Sequence, residues 1–180
     1  MPKPSKIGYI PTYPQFIVDF GDGEFSSCLR STRAFNAGEY LVPLDASRLT
    51  RGPKAYTSVQ CGPGSDDHIE LNSDLVYINH SCDPNIAFDL SSPNPSDWHI
   101  RALKCIQSGE SVTFFYPSTE WDMDQPFTCD CLSKNCLGRV RGAKYLTISQ
   151  LVKQRWTNPY ILQLAAQRDE QFSQRIRSHL

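Results

Sequence analysis

The amino-acid sequence predicts a mostly β body followed by a helical tail. Short apolar segments rich in β-forming residues recur along most of the chain, with no long helical pattern between them. The 13 prolines and 10 glycines among 180 residues favour short strands and frequent turns. After residue 143, helix-start signals and helical spacing replace the strand pattern. We therefore expect a β+α fold with a β-rich, barrel-like body.

Strands are expected where a short run is apolar or alternates in polarity and is flanked by turn residues. The runs FIVDF and YLVPL lie beside turns that contain glycine. Later runs alternate in the way that half-buried strands do. The expected strands are, in order, 16–20, 40–44, 55–60, 98–102 and 111–116, with short strand or turn segments at 68–71 and 75–78.

Two helices are expected in the tail, near residues 148–156 and over residues 159–177. Thr147 and Gln150 match a capping box, in which each side chain satisfies a free amide of the first turn. Asn158 offers a second N-cap, followed by Pro159 at the first helical position. Apolar residues of the second helix share one face, which we expect to pack on the body: Ile161, Leu164, Ala165, Phe172 and Ile176.

The net charge of −1 conceals an uneven distribution of charge. Residues 1–138 contain ten Lys and Arg against seventeen Asp and Glu, whereas residues 139–180 contain eight against two. An acidic body could attract a cationic substrate, and a basic tail could contact nucleic acid. A solvated helix packed on an acidic domain explains the same pattern. We favour that interpretation over a nucleic-acid partner.

The sequence predicts an intracellular protein. No apolar run approaches the roughly 20 residues that a membrane span needs, so no membrane partner is expected. Prolines stand where a signal peptide would have its apolar region. The seven cysteines are an odd number, which argues against a fully paired disulfide framework. We expect reduced thiols and a location in the nucleus or cytoplasm.

Three cysteines lie within eight residues of one another, at Cys129, Cys131 and Cys136. A structural zinc ion takes four ligands in a tetrahedron, so these thiols would need a fourth ligand from elsewhere. Three unrelated buried cysteines are the alternative. The cysteines without comparable spacing are expected to be small core residues: Cys28, Cys61 and Cys105.

Two motifs precede the thiols. The first is Asn-His-Ser-Cys-Asp-Pro-Asn at residues 79–85, and the second is Gly-Glu-Ser-Val-Thr-Phe-Phe-Tyr at residues 109–116. Alone, the first could be a polar turn fixed by its proline. In this order and at these distances, the two motifs and the thiols resemble the SET-domain lysine methyltransferases that carry a post-SET zinc segment. Residues 31–39 also match a pattern of that family.

The resemblance implies a fold and a division of the chain. The fold would consist of several small curved sheets with a pseudoknot, in which residues 79–85 pack beside the strand at 109–116. The SET domain would span residues 14–124, the post-SET zinc segment 125–142 and a helical extension 143–180. No cysteine-rich pre-SET segment is expected.

The resemblance also implies the functional residues. Tyr116 aligns with the catalytic tyrosine, and Asn79 and His80 align with residues that hold S-adenosylmethionine. Trp121 could stack on the adenine of that cofactor. The fourth zinc ligand would be the cysteine of the first motif, which gives the set Cys82, Cys129, Cys131 and Cys136.

A tyrosine suits the chemistry of methyl transfer to an amine. The lysine must arrive deprotonated although its ordinary pKa is ~10.4. An apolar channel and a neighbouring sulfonium cation both lower that pKa. The rate then depends on alignment, which a phenol and carbonyl oxygens can provide. The aromatic residues Phe114, Phe115 and Trp121 could wall the channel, although plain core packing explains them equally well.

Acidic residues follow the tyrosine closely, at Glu120, Asp122 and Asp124. They could draw in a basic protein or peptide, such as a histone tail, and a solvated acidic loop is the alternative. The family usually has two glycines in a Gly-x-Gly motif where this chain has Ser26 and Cys28.

Three functions follow from these residues. The first is an S-adenosylmethionine-dependent N-methyltransferase acting on protein lysine. The second is a SET-like enzyme acting on a small-molecule amine. The third is a binding module without methyltransferase activity, which the missing glycines would favour and the retained Tyr116 would not.

Overall fold

A computed structural model describes residues 7–23 and 25–178 of the chain. His179, and with it the end of the predicted helical extension, lies outside the described residues. Within them, the structure is mostly β, with two α-helices at the C-terminal end. The predicted fold class is confirmed.

Twelve short strands form five small sheets in the described part of the chain. In chain order the strands are β1 (Phe16–Asp19), β2 (Cys28–Ser31), β3 (Tyr40–Pro43), β4 (Thr50–Arg51), β5 (Ser58–Gln60), β6 (His68–Glu70), β7 (Asn79–His80), β8 (Ile86–Asp89), β9 (His99–Ala102), β10 (Thr113–Phe114), β11 (Phe127–Thr128) and β12 (Arg139–Val140). Two sheets have three strands, in the orders β3-β9-β8 and β4-β6-β5, and the pairs are β1-β2, β7-β10 and β11-β12.

The strands are shorter than the sequence indicated, and one predicted strand gives way to a helical turn. Residues 74–77, where a strand or turn was expected, form a turn of 3₁₀ helix. The predicted strand at 111–116 forms a strand at Thr113–Phe114 and an isolated bridge from Ser111 to Arg30, and a 3₁₀ turn follows at Tyr116–Ser118. Pro117 explains the change, because proline fits the start of a helical turn and lacks the amide that a strand would need.

Two segments far apart in sequence are joined by a parallel pair of strands. β7 pairs with β10, so that Asn79 lies opposite Thr113 and His80 opposite Phe114. The side chain of Asn85 extends the contact, because its Oδ1 accepts from the Thr113 amide at 2.8 Å and its Nδ2 donates to the Ser111 carbonyl at 2.9 Å. The two sequence motifs therefore lie side by side, as expected.

The tail forms helices α1 (Ile148–Val152) and α2 (Pro159–Arg177). The capping box of Thr147 and Gln150 is present at the start of α1, but that helix is shorter than predicted. The bounds of α2 agree with the prediction. Its N-cap residue, Asn158, makes no side-chain cap, which differs from the expectation.

The prediction for the packed face of α2 is half wrong. Ile161 and Ala165 are fully buried, whereas Phe172 is 66% exposed and Ile176 is 48% exposed. The first half of the helix lies against the body, and the second half extends past it. Helical spacing identifies an apolar face, but it cannot tell how far the partner surface reaches.

Asn158 anchors the tail to the body with its side chain. Oδ1 accepts from the Leu90 amide at 2.9 Å, and Nδ2 donates to the carbonyl oxygens of Phe88 and Ser118 at 2.9 and 3.0 Å. The residue is fully buried. These bonds take the place of the expected helix cap, because the amide side chain satisfies the Leu90 amide and the Phe88 carbonyl oxygen. The Ser118 carbonyl oxygen also accepts from the Asn158 backbone amide at 3.1 Å.

We expect Asn158→Ala to lower the free energy of unfolding by about 2 kcal/mol or more, because the Leu90 amide and the Phe88 carbonyl lose their partner and each such buried group costs roughly 1–3 kcal/mol. Denaturant unfolding monitored by circular dichroism measures this change. Asn94→Ala is the matched control, because Asn94 caps an exposed 3₁₀ turn. A loss no larger at Asn158 than at Asn94 would contradict the anchoring role.

The cysteines predicted to be core residues are less buried than expected. Cys28 and Cys61 are only partly buried, and Cys105 is exposed. Cys28 belongs to a two-stranded sheet, Cys61 follows β5 and Cys105 lies in the loop after β9, and such positions have few neighbours to cover a side chain. Among the described residues, no helix is both long enough and apolar enough to cross a membrane.

Candidate functional site

A pocket of about 630 Å³ lies where the parallel pair meets the loops around it. One part of its lining comes from β7 and from residues 125–127, 129 and 130, and another from residues 55–59, 71, 75 and 76. Tyr116 belongs to the same lining. The pocket therefore joins the first motif, the tyrosine and the thiol-containing segment.

Tyr116 begins the 3₁₀ turn that follows β10, and its hydroxyl is fixed. The phenol donates to the Ile78 carbonyl oxygen at 3.1 Å. Burial, together with the nearby charge of Glu120, raises the pKa of Tyr116 well above its ordinary value. The hydroxyl stays protonated at neutral pH, so it can donate a hydrogen bond but cannot act as a base there.

The imidazole of His80 connects the tyrosine with a thiol. Its Nδ1 accepts from the Tyr116 amide at 3.1 Å, so the proton of the neutral ring is on Nε2, which lies 3.2 Å from the Cys82 sulfur. Burial lowers the pKa of His80 to about 4, which keeps the ring neutral. His80 is thus held by its side chain and lines the pocket beside Tyr116.

Four thiols form a cluster, as the sequence motifs implied. The sulfurs of Cys82, Cys129, Cys131 and Cys136 all lie within 4.8 Å of one another. Backbone amides point at three of them: Leu137 N lies 3.3 Å from Cys82 Sγ, Cys82 N 3.5 Å from Cys131 Sγ, and Gly138 N 3.5 Å from Cys136 Sγ. Amide donors stabilise thiolate over thiol, which suits a set of metal ligands.

Cys131 is the thiol of this cluster whose pKa falls. Burial opposes its ionisation, but hydrogen bonds from Ser133 and from the Cys82 amide lower its pKa to about 6. A thiolate is the form that binds a metal ion. The cluster could therefore hold a metal ion with little change in geometry.

The two positions without the expected glycines do not obstruct the pocket. Ser26 turns back on its own loop, where its Oγ accepts from the Gly23 amide at 2.9 Å and donates to the Gly23 carbonyl at 2.6 Å. The Cys28 sulfur lies 3.5 Å from Ser111 Oγ. Neither residue belongs to the pocket lining. Asn79 holds the segment between them, because its Nδ2 donates to the Ser27 carbonyl at 2.9 Å.

Trp121 is not brought together with the other predicted site residues. It is absent from the pocket lining, and its ring lies 5.7 Å from the Arg168 guanidinium of α2. Its backbone is tightly packed, because a Cβ added at Gly142 would lie 2.5 Å from the Trp121 carbonyl oxygen. The aromatic ring on the pocket side of this segment is Phe127, whose centroid lies 5.9 Å from that of Tyr116.

The acidic residues after the tyrosine do not form one solvated loop. Asp122 is paired with Lys144 at 3.0 Å and accepts from the Tyr145 hydroxyl at 3.2 Å. Asp124 is exposed at the pocket. Glu120 is buried and lines the pocket, a position that the sequence did not indicate. A glutamate followed by an aromatic residue within an acidic stretch carries no signal of burial.

Comparison with known proteins gives the family. A SET-domain family profile matches residues 26–117. The chain is 41% identical over 157 residues to the methyltransferase flvH of Aspergillus flavus. This alignment covers 87% of this chain and 84% of flvH. It is 27% identical over 127 residues to the histone-lysine N-methyltransferase set9 of Schizosaccharomyces pombe, and 35% identical over 78 residues to the histone-lysine N-methyltransferase mes-4 of Caenorhabditis elegans.

The two kinds of relative are matched to different extents. The alignments with set9 and mes-4 cover 65% and 38% of this chain, but only 27% and 8% of those proteins. The match to flvH covers most of both chains. The family profile and this relative agree with the paired motifs described above. The chain therefore belongs to the SET-domain family of methyltransferases.

Proposed function

We propose that this protein transfers a methyl group from S-adenosylmethionine to the amine nitrogen of a lysine side chain in a basic protein or peptide. The observation that carries the proposal is the pocket in which Tyr116, with its hydroxyl fixed on the Ile78 carbonyl, lies beside His80 and Phe127. The family supports the reaction class, and the histone-lysine relatives support a basic protein substrate.

The cofactor would supply an electrophilic methyl group on a sulfonium. The residues of this chain would do the rest. Asn79 and His80, which line the pocket, would hold the cofactor. The Tyr116 hydroxyl and the Ile78 carbonyl oxygen would orient the amine and the methyl group. Apolar neighbours such as Phe114 would exclude water, which favours the neutral amine over the ammonium ion.

The thiol cluster would hold a structural zinc ion. Tetrahedral zinc with sulfur at ~2.3 Å places the sulfurs roughly 3.8 Å apart. The separation of Cys82 Sγ and Cys129 Sγ is 4.0 Å. The ion would fasten the segment of β11 and β12 to β7 and so complete the wall of the pocket that residues 125–130 form. His80 would donate its Nε2 proton to the Cys82 thiolate and so couple the zinc site to Tyr116.

An acidic rim supports a cationic substrate. Asp124 and Asp130 are exposed and belong to the pocket lining. Their charges would attract a lysine-containing peptide such as a histone tail. A location in the nucleus or cytoplasm forms part of this proposal, because such substrates and reduced thiols occur there.

A second candidate is methyl transfer to a small-molecule amine. The rings of Phe25 and Tyr56 meet edge to face at 6.0 Å, and both residues line the pocket. Both rings are exposed at the pocket, where they offer an apolar contact to the carbon chain of a free amine.

Calorimetry with S-adenosylmethionine and mass spectrometry of the products test both candidates. We expect the wild-type protein to bind the cofactor and to methylate lysine in a core-histone mixture. Methylation of n-butylamine but not of histones would favour the second candidate. A protein that does not bind S-adenosylmethionine would contradict both and favour the binding module.

A further inference from the structure

Glu120 is a buried carboxylate that lines the pocket. The methyl-transfer reaction proposed for the pocket gives this residue no role. The residue is 8% exposed and lines the pocket together with Tyr116. The two residues share one turn, because the Glu120 amide donates to the Tyr116 carbonyl oxygen at 2.9 Å. The carboxylate is close enough to influence the titration of the phenol. The carboxyl group is thus held one helical turn from the tyrosine, in the same pocket.

Gln60 holds this carboxylate in position. Its backbone amide donates to Glu120 Oε1 at 2.8 Å, and its side-chain Oε1 accepts from the Trp121 amide at 2.9 Å. The Tyr160 hydroxyl of α2 donates to the Gln60 carbonyl oxygen at 2.5 Å. Gln60 of β5 therefore holds Glu120 directly, and α2 supports Gln60 through Tyr160. A group held in this way is preorganised for a ligand in the pocket.

The carboxylate has no cation of its own. Over residues 7–23 and 25–178, no basic side chain forms an ion pair with Glu120. Lys54 acts on it electrostatically, but the Lys54 ammonium donates to the Asp122 carbonyl oxygen at 3.1 Å. The other titratable groups that face Glu120 are neutral: Cys61, Tyr116 and Tyr160. A buried carboxylate without a paired cation is unfavourable, unless a ligand supplies the charge.

We propose that Glu120 binds the ammonium group of the substrate amine and accepts its proton before methyl transfer. This inference rests on the proposed function, and it names the substrate as an amine that enters the pocket protonated. It deepens that function because neither Tyr116, which stays protonated, nor the Ile78 carbonyl can take the proton.

Methyl transfer follows a proton transfer from the ammonium group to Glu120. The N–H bond of the ammonium breaks and its proton joins a Glu120 oxygen, which leaves a neutral amine and a carboxylic acid. The nitrogen lone pair then forms the new N–C bond to the methyl group of the sulfonium donor. The C–S bond breaks and its electron pair stays on sulfur, which becomes a neutral thioether. The product leaves as a methylated ammonium ion, and Glu120 returns its proton to water.

The titration of Glu120 fits this role. Burial raises its pKa to about 7, against hydrogen bonds from Gln60 and Thr119 and the charge of Lys54, which lower it. The carboxylate is therefore the form present above that pH, and the acid is the form present below it. A group that titrates near neutral pH can both accept and release a proton there.

Binding of n-butylammonium, a mimic of the lysine side chain, tests the inference without the methyl donor. We expect its affinity for the wild-type protein to rise as pH increases through about 7, where Glu120 loses its proton. The amine itself remains charged over this range, since its ordinary pKa is ~10.4. n-Butanol, which has no charge, should show no such pH dependence.

Glu120→Gln keeps an oxygen that can accept from the Gln60 amide and removes only the charge. We expect it to weaken butylammonium binding on the order of 30-fold or more and to abolish the pH dependence. Asp66→Asn is the matched control, because Asp66 is exposed and lies outside the pocket, so its loss of charge should leave the affinity unchanged. If Glu120→Gln does not fold, the titration of the wild-type protein still decides the matter.

The result that would overturn the inference is a wild-type protein that does not bind butylammonium, or binds it with no change across pH 7. An unaltered affinity in Glu120→Gln would do the same. Calorimetry of S-adenosylmethionine on both proteins separates this from the proposed function. A wild-type protein that does not bind S-adenosylmethionine contradicts the proposed function. A result in which the cofactor binds to both proteins but butylammonium binding fails the expectations above contradicts only the role of Glu120.

Discussion

Replacing Cys129 with serine should remove the bound zinc and unfold the segment that carries β11 and β12. Apart from the main core, the described residues form a small apolar cluster around the thiols themselves, in which Val140 is the buried aliphatic residue. Structural zinc contributes about 10–16 kcal/mol in small zinc-binding peptides. A segment with so few apolar contacts has little else to hold it, so a large fall in melting temperature is expected.

Metal analysis and thermal unfolding measure the two effects. The wild-type protein should contain about one zinc ion per chain, as a single set of four thiolates would bind, and Cys129→Ser should contain far less. Cys105→Ser is the control, because Cys105 is exposed and lies outside the cluster. A chelator should reproduce the effect of Cys129→Ser on the wild-type protein. A metal-free protein with an unchanged melting temperature would remove the zinc site from this account.

Tyr116→Phe should lower the turnover of methyl transfer by ~10²-fold, because the hydroxyl orients the reacting groups and misalignment of that kind carries a cost of this order. The change removes one hydrogen bond, to the Ile78 carbonyl, so the free energy of unfolding should fall by only about 1 kcal/mol. Affinity for S-adenosylmethionine should change little, because the hydroxyl does not hold Asn79 or His80 in place. His80 accepts from the backbone amide of Tyr116, and Asn79 donates to the Ser27 carbonyl.

Initial rates at saturating cofactor, with calorimetry and thermal unfolding of the same samples, test this expectation. Tyr145→Phe is the matched control, because its hydroxyl bonds to Asp122 outside the pocket. Equal turnover in Tyr116→Phe and Tyr145→Phe would show that Tyr116 is only part of the pocket wall. A change in the number of methyl groups added, with an unaltered rate, would show that the hydroxyl selects the product.

Local features of the fold could be read from the sequence because they depend on residues close together in the chain. The capping box needs only Thr147 and Gln150, and the bounds of α2 follow from Pro159 and the helical spacing after it. The motif at 79–85 and the thiols at 129–136 were each visible as short patterns. The family resemblance then indicated that these segments meet, and in the structure they do so at the four clustered sulfurs, where the Cys82 amide lies 3.5 Å from Cys131 Sγ.

Burial and side-chain partners depended on contacts between distant segments, so only the tertiary structure decided them. Asn158 was expected to cap a helix, but backbone groups 40 to 70 residues away occupy its side chain. Phe172 and Ile176 match an apolar face, yet no surface covers them in the described chain. Glu120 belongs to an acidic stretch, but Gln60, placed beside it by β5, encloses its carboxylate. The sequence by itself determined the local motifs and the family. The tertiary structure decided which polar groups lie in the pocket, because the free energy of burying a charge depends on neighbours that the chain brings together only when it folds.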